Sequence, residues 1–576
     1  MCRLKSNIFL YLVAILAFGA CRNSVTKTTE TVNLAISESP ETLFPYFAKS
    51  TIAGQISSKL YLPMADFNAK TLELEPVLLE SIPTPVIDST GEKYQFKLLK
   101  NASWSDGRPI TANDVLFTLK MIMNPFHNYG SVRSTLVNIT QLSTPDPTSK
   151  EFTVVFSGKY HLDLEAFTNL PLLPAHFIDP NNEMAQFSWN ALIHYADSLD
   201  NTKDSMALAK VSNQANFLKD DFTKHVGSGP YAVSEWSPNQ RLTLTKVEKY
   251  WGEDQASNNI DFQAMPLKIN YLIFPEESTA LAALKSGQID IMPDVKDETV
   301  DLIKNDQVLA KNFNVVSSDV LQYYYIGMNN KGALLHDVNI RKALAHLVNV
   351  DQIIETLVGG NADRVKSPIL HQKPYYVPNL PLVEFNPNKA VELLKKSGYS
   401  TMGSDGIRQK VVNNKPQRLT FTILTTGKQL GKDVATLLKN EAQKVGVEIK
   451  IEILDFPKIL ERVKAGNYDL ANLVVKQFPG LDDPYIGWNS FNAYGRGSNY
   501  CNVVDPEIDR ITEAIRITTN ANDRNRLYQE FQIKLVALQP VIFLFSPKNN
   551  IVIKDGLTMV TSAKRPGYFE NTVHSH

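Results

Sequence analysis

Short stretches in which apolar and polar residues alternate are separated by segments of helical spacing along most of the chain. Residues 94–98 alternate in this way and predict a half-buried strand, and residues 242–247 and 419–424 follow the same pattern. Elsewhere apolar residues recur at the spacing of a helix with one buried face, as at Leu119 and Met123. Strands that alternate with helices predict an α/β protein with mixed sheets.

Capping residues mark the ends of several predicted helices. Thr111 fits the N-cap of one helix, and Asp114 follows three residues later, close to the exposed N–H groups of the first turn. Asn386 and Pro387 predict the start of a second helix, which Gly398 ends.

The N-terminus has the pattern of an export signal. Arg3 and Lys5 precede an unbroken apolar run at residues 8–18, which is too short to span a bilayer, and small residues follow it. Cys21 then stands in a segment that resembles a bacterial lipobox, although Phe18 replaces the usual leucine. We therefore expect cleavage of residues 1–20, acylation of Cys21, stable anchoring to a bacterial membrane and a polar tether over 21–32. A plain signal peptide with an incidental cysteine is the alternative.

Length and charge narrow the function classes. The 576-residue chain is long enough for three or four domains. Its net charge is −1, and loss of the export signal with its two basic residues would make it −3. This near balance gives no electrostatic case for binding nucleic acid. The only cysteines besides Cys21 are Cys2 and Cys501, so we expect Cys501 to be an inert, buried thiol.

Motifs of the common hydrolases and nucleotide-binding enzymes are absent. The sequence contains no Gly-x-Ser-x-Gly, no phosphate-binding loop and no His-Glu-x-x-His, and its histidines are dispersed. The acidic pair Glu276 and Glu277 lies in or beside a predicted helix and is interpreted as a solvated first turn. We therefore expect a protein that is not an enzyme and has no catalytic residues, no cofactor and no metal site.

Five segments occur in an order that resembles one known family, and the likeness spans about residues 33–550. They are Phe96 to Val115 (with Trp-Ser-Asp-Gly at 104–107), Gly227-Ser-Gly-Pro-Tyr, Ala282 to Ile291, Ile340 to Asn349, and Asn386 to Tyr399. The chain thus resembles the family 5 extracellular solute-binding proteins, which are the peptide- and nickel-binding components of ABC importers. The Trp-Ser-Asp-Gly and Gly-Ser-Gly-Pro-Tyr motifs are interpreted as turn and packing signatures rather than ligand contacts.

The resemblance implies a two-lobed periplasmic-binding-protein fold with an extra inserted domain and a hinge between the lobes. The core of lobe I would comprise 33–60, 227–322 and 525–576, and the inserted subdomain would cover 61–226. Lobe II would run over 323–524. Chain crossings are expected near 320–325 and 524–531, where a few residues would absorb the closure of the lobes.

The resemblance also implies a ligand site between the lobes. In peptide-binding members, an Asp that pairs with the amino terminus of the ligand usually lies three residues before the acid of an acid-Pro pair. Here that pair is Asp483 and Pro484, and the expected position holds Gly480. A buried ammonium without an acidic partner is costly, so Asp482 or Asp483 would have to replace the missing acid. Alternatively, both only cap the turn at Pro484.

Further candidates for ligand contact come from position in the family pattern. They are Lys476, Gln477 and Phe478 beside the expected anchor, Phe47, Lys49 and Thr51 near the N-terminus, Tyr129 after the capped helix, and Tyr324 at a crossing.

The function implied by the resemblance is capture of a peptide-like solute and its delivery to ABC permease subunits, by a monomer at the periplasmic face or cell surface. Binding of nickel, a metal chelate or another non-peptide solute, or a sensor role on the same fold, remains open. Because Gly480 replaces the acid, ligands without a free amine are also plausible.

Overall fold

A computed structural model describes residues 29–127, 130–158, 160–195, 203–220 and 222–575. Lobe I is built on an eight-stranded sheet whose centre is parallel, since Thr31–Ile36 pairs in parallel with Lys268–Ile273 and with Ile291–Val295. The remaining strands of this sheet are Phe313–Asp319, Phe545–Lys554, Arg241–Lys246, Tyr231–Ser237 and the short Ala362–Arg364.

Lobe II is built on a five-stranded sheet of mixed direction. Thr420–Thr425 lies at the second position and pairs in parallel with both Glu448–Ile453 and Leu470–Lys476. Gln322–Met328 runs antiparallel to Leu470–Lys476, and Val541–Phe543 forms the far edge. Residues such as Phe421, Ile423 and Ile326 are fully buried in the core between this sheet and its helices, because both faces are covered.

A third sheet belongs to the segment that the sequence predicts as an insertion into lobe I. Its strands, in spatial order, are Val86–Asp88, Gly91–Lys97, Glu151–Phe156 and Ile139–Ser143. Smaller antiparallel sheets join Ala65–Phe67 to Leu74–Pro76, Leu557–Thr561 to Tyr568–Ser575, and the three strands Thr401–Met402, Arg408–Val412 and Lys415–Arg418.

Helices connect and cover these sheets. Those before the second lobe are Thr51–Ser57, Ala112–Met123, Gly130–Ser134, Asp163–Thr168, Ala175–Ile178, Trp189–Tyr195, Lys203–Asp220, Glu277–Lys285, Asp297–Asn305 and Gln307–Asn312. Those that follow are Val338–Ala345, Val350–Leu357, Pro387–Lys396, Gln429–Lys444, Phe456–Lys464, Pro484–Trp488, Pro506–Ile517 and Ala521–Leu538. Within the described ranges, none of the helices has the length and apolar character that a membrane crossing requires.

The capping signals are confirmed at the predicted helices. The backbone N–H of Thr111 donates to Asp114 Oδ2 at 2.8 Å, at the start of Ala112–Met123. The side chain of Asn386 accepts from the N–H of Lys389, at the start of Pro387–Lys396. The local rules hold here because each cap satisfies an N–H group that the helix itself leaves free.

The glycine motif at 227–231 is a packing feature, as the sequence interpretation expected. A Cβ atom on Gly227 would fall on the carbonyl oxygen of Leu60, and one on Gly229 would fall on that of Lys59. Trp104 of the neighbouring motif is buried. Cys501 is buried as expected, and burial raises the pKa of its thiol to about 12.

Apart from the short strand Ala362–Arg364, which pairs with Phe545–Lys554 from within the lobe II segment, the chain crosses between the lobes at two adjacent places. The first crossing is residues 320–321, between the lobe I strand Phe313–Asp319 and the lobe II strand Gln322–Met328, inside the predicted region. The return is at Leu544, between Val541–Phe543 and Phe545–Lys554, and not at 524–531. Residues 524–531 lie inside Ala521–Leu538, which packs on Pro506–Ile517 through Phe531, Ile511 and Ile515 and so continues lobe II beyond residue 524.

Candidate functional site

The carboxyl ends of the parallel strands point to where a ligand could bind. In open α/β sheets, ligands bind in the crevice outside these ends, where the following loops diverge. In lobe I, Ser37 and Glu38 follow one central strand, and Phe274 follows its parallel neighbour. In lobe II, Thr426 and Lys428 follow the strand Thr420–Thr425. Residues from each of these loops line a cavity.

The first cavity, here named the lobe I cavity, has a volume of about 1100 Å³. Its walls come from the strand ends of lobe I, from the start of the helix Glu277–Lys285, and from the crossing at Asp319 to Gln322. Six carboxylates and two cationic side chains line it. The carboxylates belong to Glu38, Glu276, Glu277, Asp294, Glu298 and Asp319, and the cationic groups to Lys296 and Arg565.

Two of these carboxylates have cationic partners. Glu277 Oε2 lies 3.1 Å from Lys296 Nζ, and its other oxygen accepts from the Lys296 backbone N–H. Asp319 lies 3.6 Å from both His371 Nε2 and Lys548 Nζ. The contact with His371 lowers the pKa of Asp319 to about 2, with Lys548 adding to the effect, and it raises the pKa of His371.

The other four carboxylates have no cationic partner among the residues that the structure describes. Asp294 accepts one neutral hydrogen bond, from the Asn549 amide at 3.0 Å. It is accessible to water from the cavity but has protein on its other sides, and this burial raises its pKa. Glu38, Glu276 and Glu298 are exposed to the cavity and take part in no ion pair or side-chain hydrogen bond within the described ranges.

The second cavity, the lobe II cavity, has a volume of about 450 Å³. Tyr324 lines it and stacks on Phe545, with 5.1 Å between the ring centroids. Its charged groups are the ammonium groups of Lys428 and Lys476, both exposed. Gln322 lines both cavities and pairs in register with Lys476, so the two cavities meet at the first crossing.

These two cavities contain three of the residues that the sequence predicts as ligand contacts. Thr51 lines the lobe I cavity, and Tyr324 and Lys476 line the lobe II cavity. Phe47 and Lys49 line neither of them; Phe47 packs against Phe44 and His127. Tyr129 and Cys21 lie outside the described residues. Cys21 stays a prediction as the lipidation site, and the other residues stay predictions as ligand contacts.

The remaining predicted contacts lie in residues 477–483, here named the 477–483 loop, which surrounds an ammonium group from its own chain. Lys373 Nζ donates to the carbonyl oxygens of Phe478 at 2.6 Å, Pro479 at 2.8 Å and Gly480. It also lies 3.7 Å from Asp482 Oδ2, and its side chain is fully buried. Burial lowers the pKa of Lys373, and the Asp482 carboxylate opposes that shift.

Both acids of the 477–483 loop are engaged within the protein. Asp482 accepts from the Tyr375 hydroxyl at 2.8 Å, and burial raises its pKa against the opposing effect of Lys373. Asp483 forms an ion pair with Arg516 at 2.7 Å and accepts from the Tyr160 hydroxyl at 3.0 Å. Asp483 also accepts from the N–H of Tyr485 and so caps the helix at Pro484, a role that the alternative interpretation gave to both acids.

The other predicted contacts of this loop have different surroundings; they are Gly480, Gln477 and Phe478. A Cβ atom on Gly480 would fall on Glu165 Oε2 and on the Phe67 ring, so the carboxylate of Glu165 fills the space of a side chain at position 480. Gln477 donates to the Pro368 carbonyl at 2.8 Å. Phe478 is 81 % exposed.

Glu165 joins the inserted subdomain to lobe II. Its Oε2 accepts from the N–H of Leu481 at 3.0 Å, and burial raises the pKa of its carboxyl to about 7. His161 contacts the carbonyl oxygen of Asp482 at 3.0 Å beside it. The lobes are therefore in contact here as well as at the crossings.

The sequence interpretation missed the unpaired carboxylates. The sequence indicates a solvated first turn for Glu276 and gives no role to Glu38 or Glu298. A signal was present, since Glu38 comes shortly after the strand Thr31–Ile36 and Glu276 lies between the strand Lys268–Ile273 and the helix Glu277–Lys285. Their convergence depends on parallel pairing between residues far apart in the chain, and spacing does not report that pairing.

One cluster has the composition of a metal site. Oxygen and nitrogen atoms of Asp319, Asp363 and His371 all lie within 4.8 Å of one another. Lys548 Nζ lies 3.1 Å from Asp363 and 3.6 Å from Asp319, so an ammonium group already bridges both acids and compensates part of their charge.

Comparison with known proteins places the chain in a family. The profile of the bacterial extracellular solute-binding proteins, family 5 Middle, matches residues 73–499. The chain is 24 % identical over 485 residues to the oligopeptide-binding protein AppA of Bacillus subtilis (strain 168), covering 81 % of this chain and 78 % of AppA.

Two solved structures have the same fold. AppA of Bacillus subtilis in complex with a nonapeptide has a TM-score of 0.62 at 20 % identity, covering 96 % of this chain and 100 % of AppA. NikZ of Campylobacter jejuni in complex with Ni(L-His) has a TM-score of 0.64 at 20 % identity, covering 95 % and 99 %. The chain described here belongs to the bacterial extracellular solute-binding proteins of family 5.

Proposed function

We propose that the chain is the substrate-binding component of an ABC importer and captures a peptide-like solute between its two lobes. The observation that carries this proposal is the pair of cavities at the carboxyl ends of the parallel strands, which meet at Gln322 on the crossing. A solute in both cavities would contact both lobes at once, and the names of the relatives favour a peptide.

The proposed mechanism is capture without chemistry on the solute. The crossings at 320–321 and Leu544 are short, so a few backbone torsions would allow the lobes to open and close. A solute that contacts both lobes binds the closed form better, and it therefore shifts the population toward closure. The closed form would then dock on the permease as a monomer.

We also propose export and lipid anchoring, with cleavage after residue 20 and acylation of Cys21. This rests on the basic, apolar and small-residue order of the first residues. Globomycin, an inhibitor of lipoprotein signal peptidase, should cause the uncleaved form to accumulate. Cleavage unaffected by the inhibitor and by Cys21→Ser would contradict the anchor and support a plain signal peptide.

Native mass spectrometry of the chain from residue 22 onward, purified from the cytoplasm of an expression host, tests the ligand class. The expected result is a set of adducts that dissociate to peptides. A single metal chelate or sugar as the adduct, with no binding of added peptides, would contradict the peptide assignment.

A further inference from the structure

The two cavities carry opposite charge. Six carboxylates face two cationic groups in the lobe I cavity, whereas Lys428 and Lys476 are the charged side chains of the lobe II cavity. Gln322 lines both cavities. A solute that spans them therefore meets a negative wall at one end and a positive wall at the other.

Three carboxylates of the negative wall have no charged partner among the described residues. Glu38, Glu276 and Glu298 are exposed, and each lacks an ion pair and a side-chain hydrogen bond among the described residues. Closure of the lobes would exclude water from these groups and strengthen their attraction for a cation. They are therefore available to a positively charged group of the solute.

A buried amide in the same wall independently points to a ligand. Gln55 is 6 % exposed, and its Oε1 accepts from the Tyr568 hydroxyl at 3.4 Å. Its Nε2 has no partner within the described structure, although a buried donor is normally hydrogen-bonded. Because Gln55 lines the lobe I cavity, a carbonyl oxygen of a bound peptide is a suitable acceptor.

The positive wall, formed by Lys428 and Lys476, is also available to a solute. Lys428 and Lys476 are exposed and form no ion pair among the described residues. Lys476 lies opposite Gln322 in the antiparallel pair of strands, which places it at the junction of the two cavities. A carboxylate that enters the lobe II cavity can therefore reach an unpaired ammonium group.

The 477–483 loop does not compete for the ammonium group of a ligand in this conformation. Its three carbonyl oxygens and the Asp482 carboxylate already surround Lys373 Nζ, whose side chain is fully buried. A second ammonium would have to displace that of Lys373 from a site without solvent access.

We propose that the cleft holds a zwitterionic peptide in one direction, with its ammonium group on the lobe I carboxylates and its carboxylate on Lys428 and Lys476. This proposal rests on the proposed function and adds ligand polarity to it. Glu38, Glu276 and Glu298 bind the amino end, Gln55 donates to a carbonyl of the peptide, and the two lysines bind the carboxyl end.

The test compares one mixture of tri- to nonapeptides in three chemical forms: free, N-acetylated and C-amidated. Binding to the ligand-freed chain is measured by equilibrium dialysis with detection by mass spectrometry. Acetylation should weaken binding about 10-fold, since it removes a charge-assisted contact, and so should amidation. The triple variant Glu38→Gln, Glu276→Gln and Glu298→Gln should lose the effect of acetylation and keep that of amidation. The double variant Lys428→Met and Lys476→Met should show the reverse.

Two matched controls lie outside the cavities. Glu513→Gln and Lys439→Met change exposed groups that have no ion pair among the described residues and lie outside both cavities, and they should keep both effects. Equal binding of all three peptide forms would overturn the polarity while leaving peptide capture intact. An acetylation effect that persists in the triple variant and disappears in Asp482→Asn would also overturn it. Binding of no form would overturn the proposed function as well.

Discussion

The 477–483 loop and the lobe I cavity each offer oxygen atoms to an ammonium group, but only the loop already holds one. In the loop, three carbonyls and Asp482 surround Lys373, which has no solvent access. In the cavity, Glu38, Glu276 and Glu298 face open space without partners among the described residues. The comparison teaches that an oxygen-rich site is structural when its charge is compensated within the chain, and available when it is not.

Removal of the Lys373 ammonium group from the 477–483 loop should have the largest effect on stability. Lys373→Met keeps the length of the side chain but leaves Asp482 and the carbonyls of 478–480 without their partner. Removing one member of a buried pair costs about 3–5 kcal/mol. Calorimetry should show a clearly lower Tm. Lys444→Met, which breaks an exposed i,i+3 ion pair, should change stability by less than about 0.5 kcal/mol. Similar Tm values for the two variants would show that the Lys373 site is not structural.

Adding an acid at position 480 should have the next largest effect. Gly480→Asp puts a side chain where Glu165 and Phe67 already lie, and overpacking of this kind costs about 1–3 kcal/mol. The double variant Gly480→Asp with Glu165→Ala should regain part of the loss in Tm, because space for the new carboxylate is restored. If Glu165→Ala only adds to the loss, Glu165 does not fill the position that Gly480 leaves open.

Glu165 should give the contact between the lobes a pH dependence. Burial raises its pKa to about 7, above the value of about 4.3 for an exposed glutamate. Between these values the folded chain keeps a proton that the unfolded chain has lost, so the contribution of Glu165 to stability falls as pH rises. Glu165→Gln lacks this titration and should gain about 2–3 kcal/mol relative to the wild type between pH 5 and pH 8, most of it below pH 7. The measurement is the difference in denaturation midpoint across that range, with Glu513→Gln as the flat control. A constant difference would contradict the raised pKa.

The smallest effect should be the salt dependence of binding at the open cavity. Exposed charges are screened more strongly as ionic strength rises, since the Debye length falls from about 10 Å at 0.1 M to about 3 Å at 1 M. The affinity for the peptide mixture should therefore decrease severalfold between these salt concentrations. In the triple glutamine variant the decrease should be smaller. An identical salt dependence in both proteins would show that these carboxylates do not contribute to binding.

Local structure followed from the sequence where the determining groups are close in the chain. The caps at Thr111 and Asn386 depend on residues three positions along the chain. The crossing near 320 is the short connection between two consecutive strands. The return crossing was misplaced because the packing of Ala521–Leu538 on Pro506–Ile517 is set by tertiary contacts.

The candidate site was harder to predict for the same reason. Gly480 stood out in the sequence, but Lys373 and Glu165, which explain it, lie more than a hundred residues away. Likewise, the convergence of Glu38, Glu276 and Glu298 follows from the pairing of strands that are distant in the chain.

Hydrogen exchange of the ligand-freed chain, measured with and without the peptide mixture, tests capture between the lobes most directly. Slower exchange is predicted at both cavity walls together, in residues 274–281 of lobe I and residues 425–431 of lobe II. Protection confined to one of these walls, or to the 477–483 loop alone, would contradict binding in the cleft between the lobes.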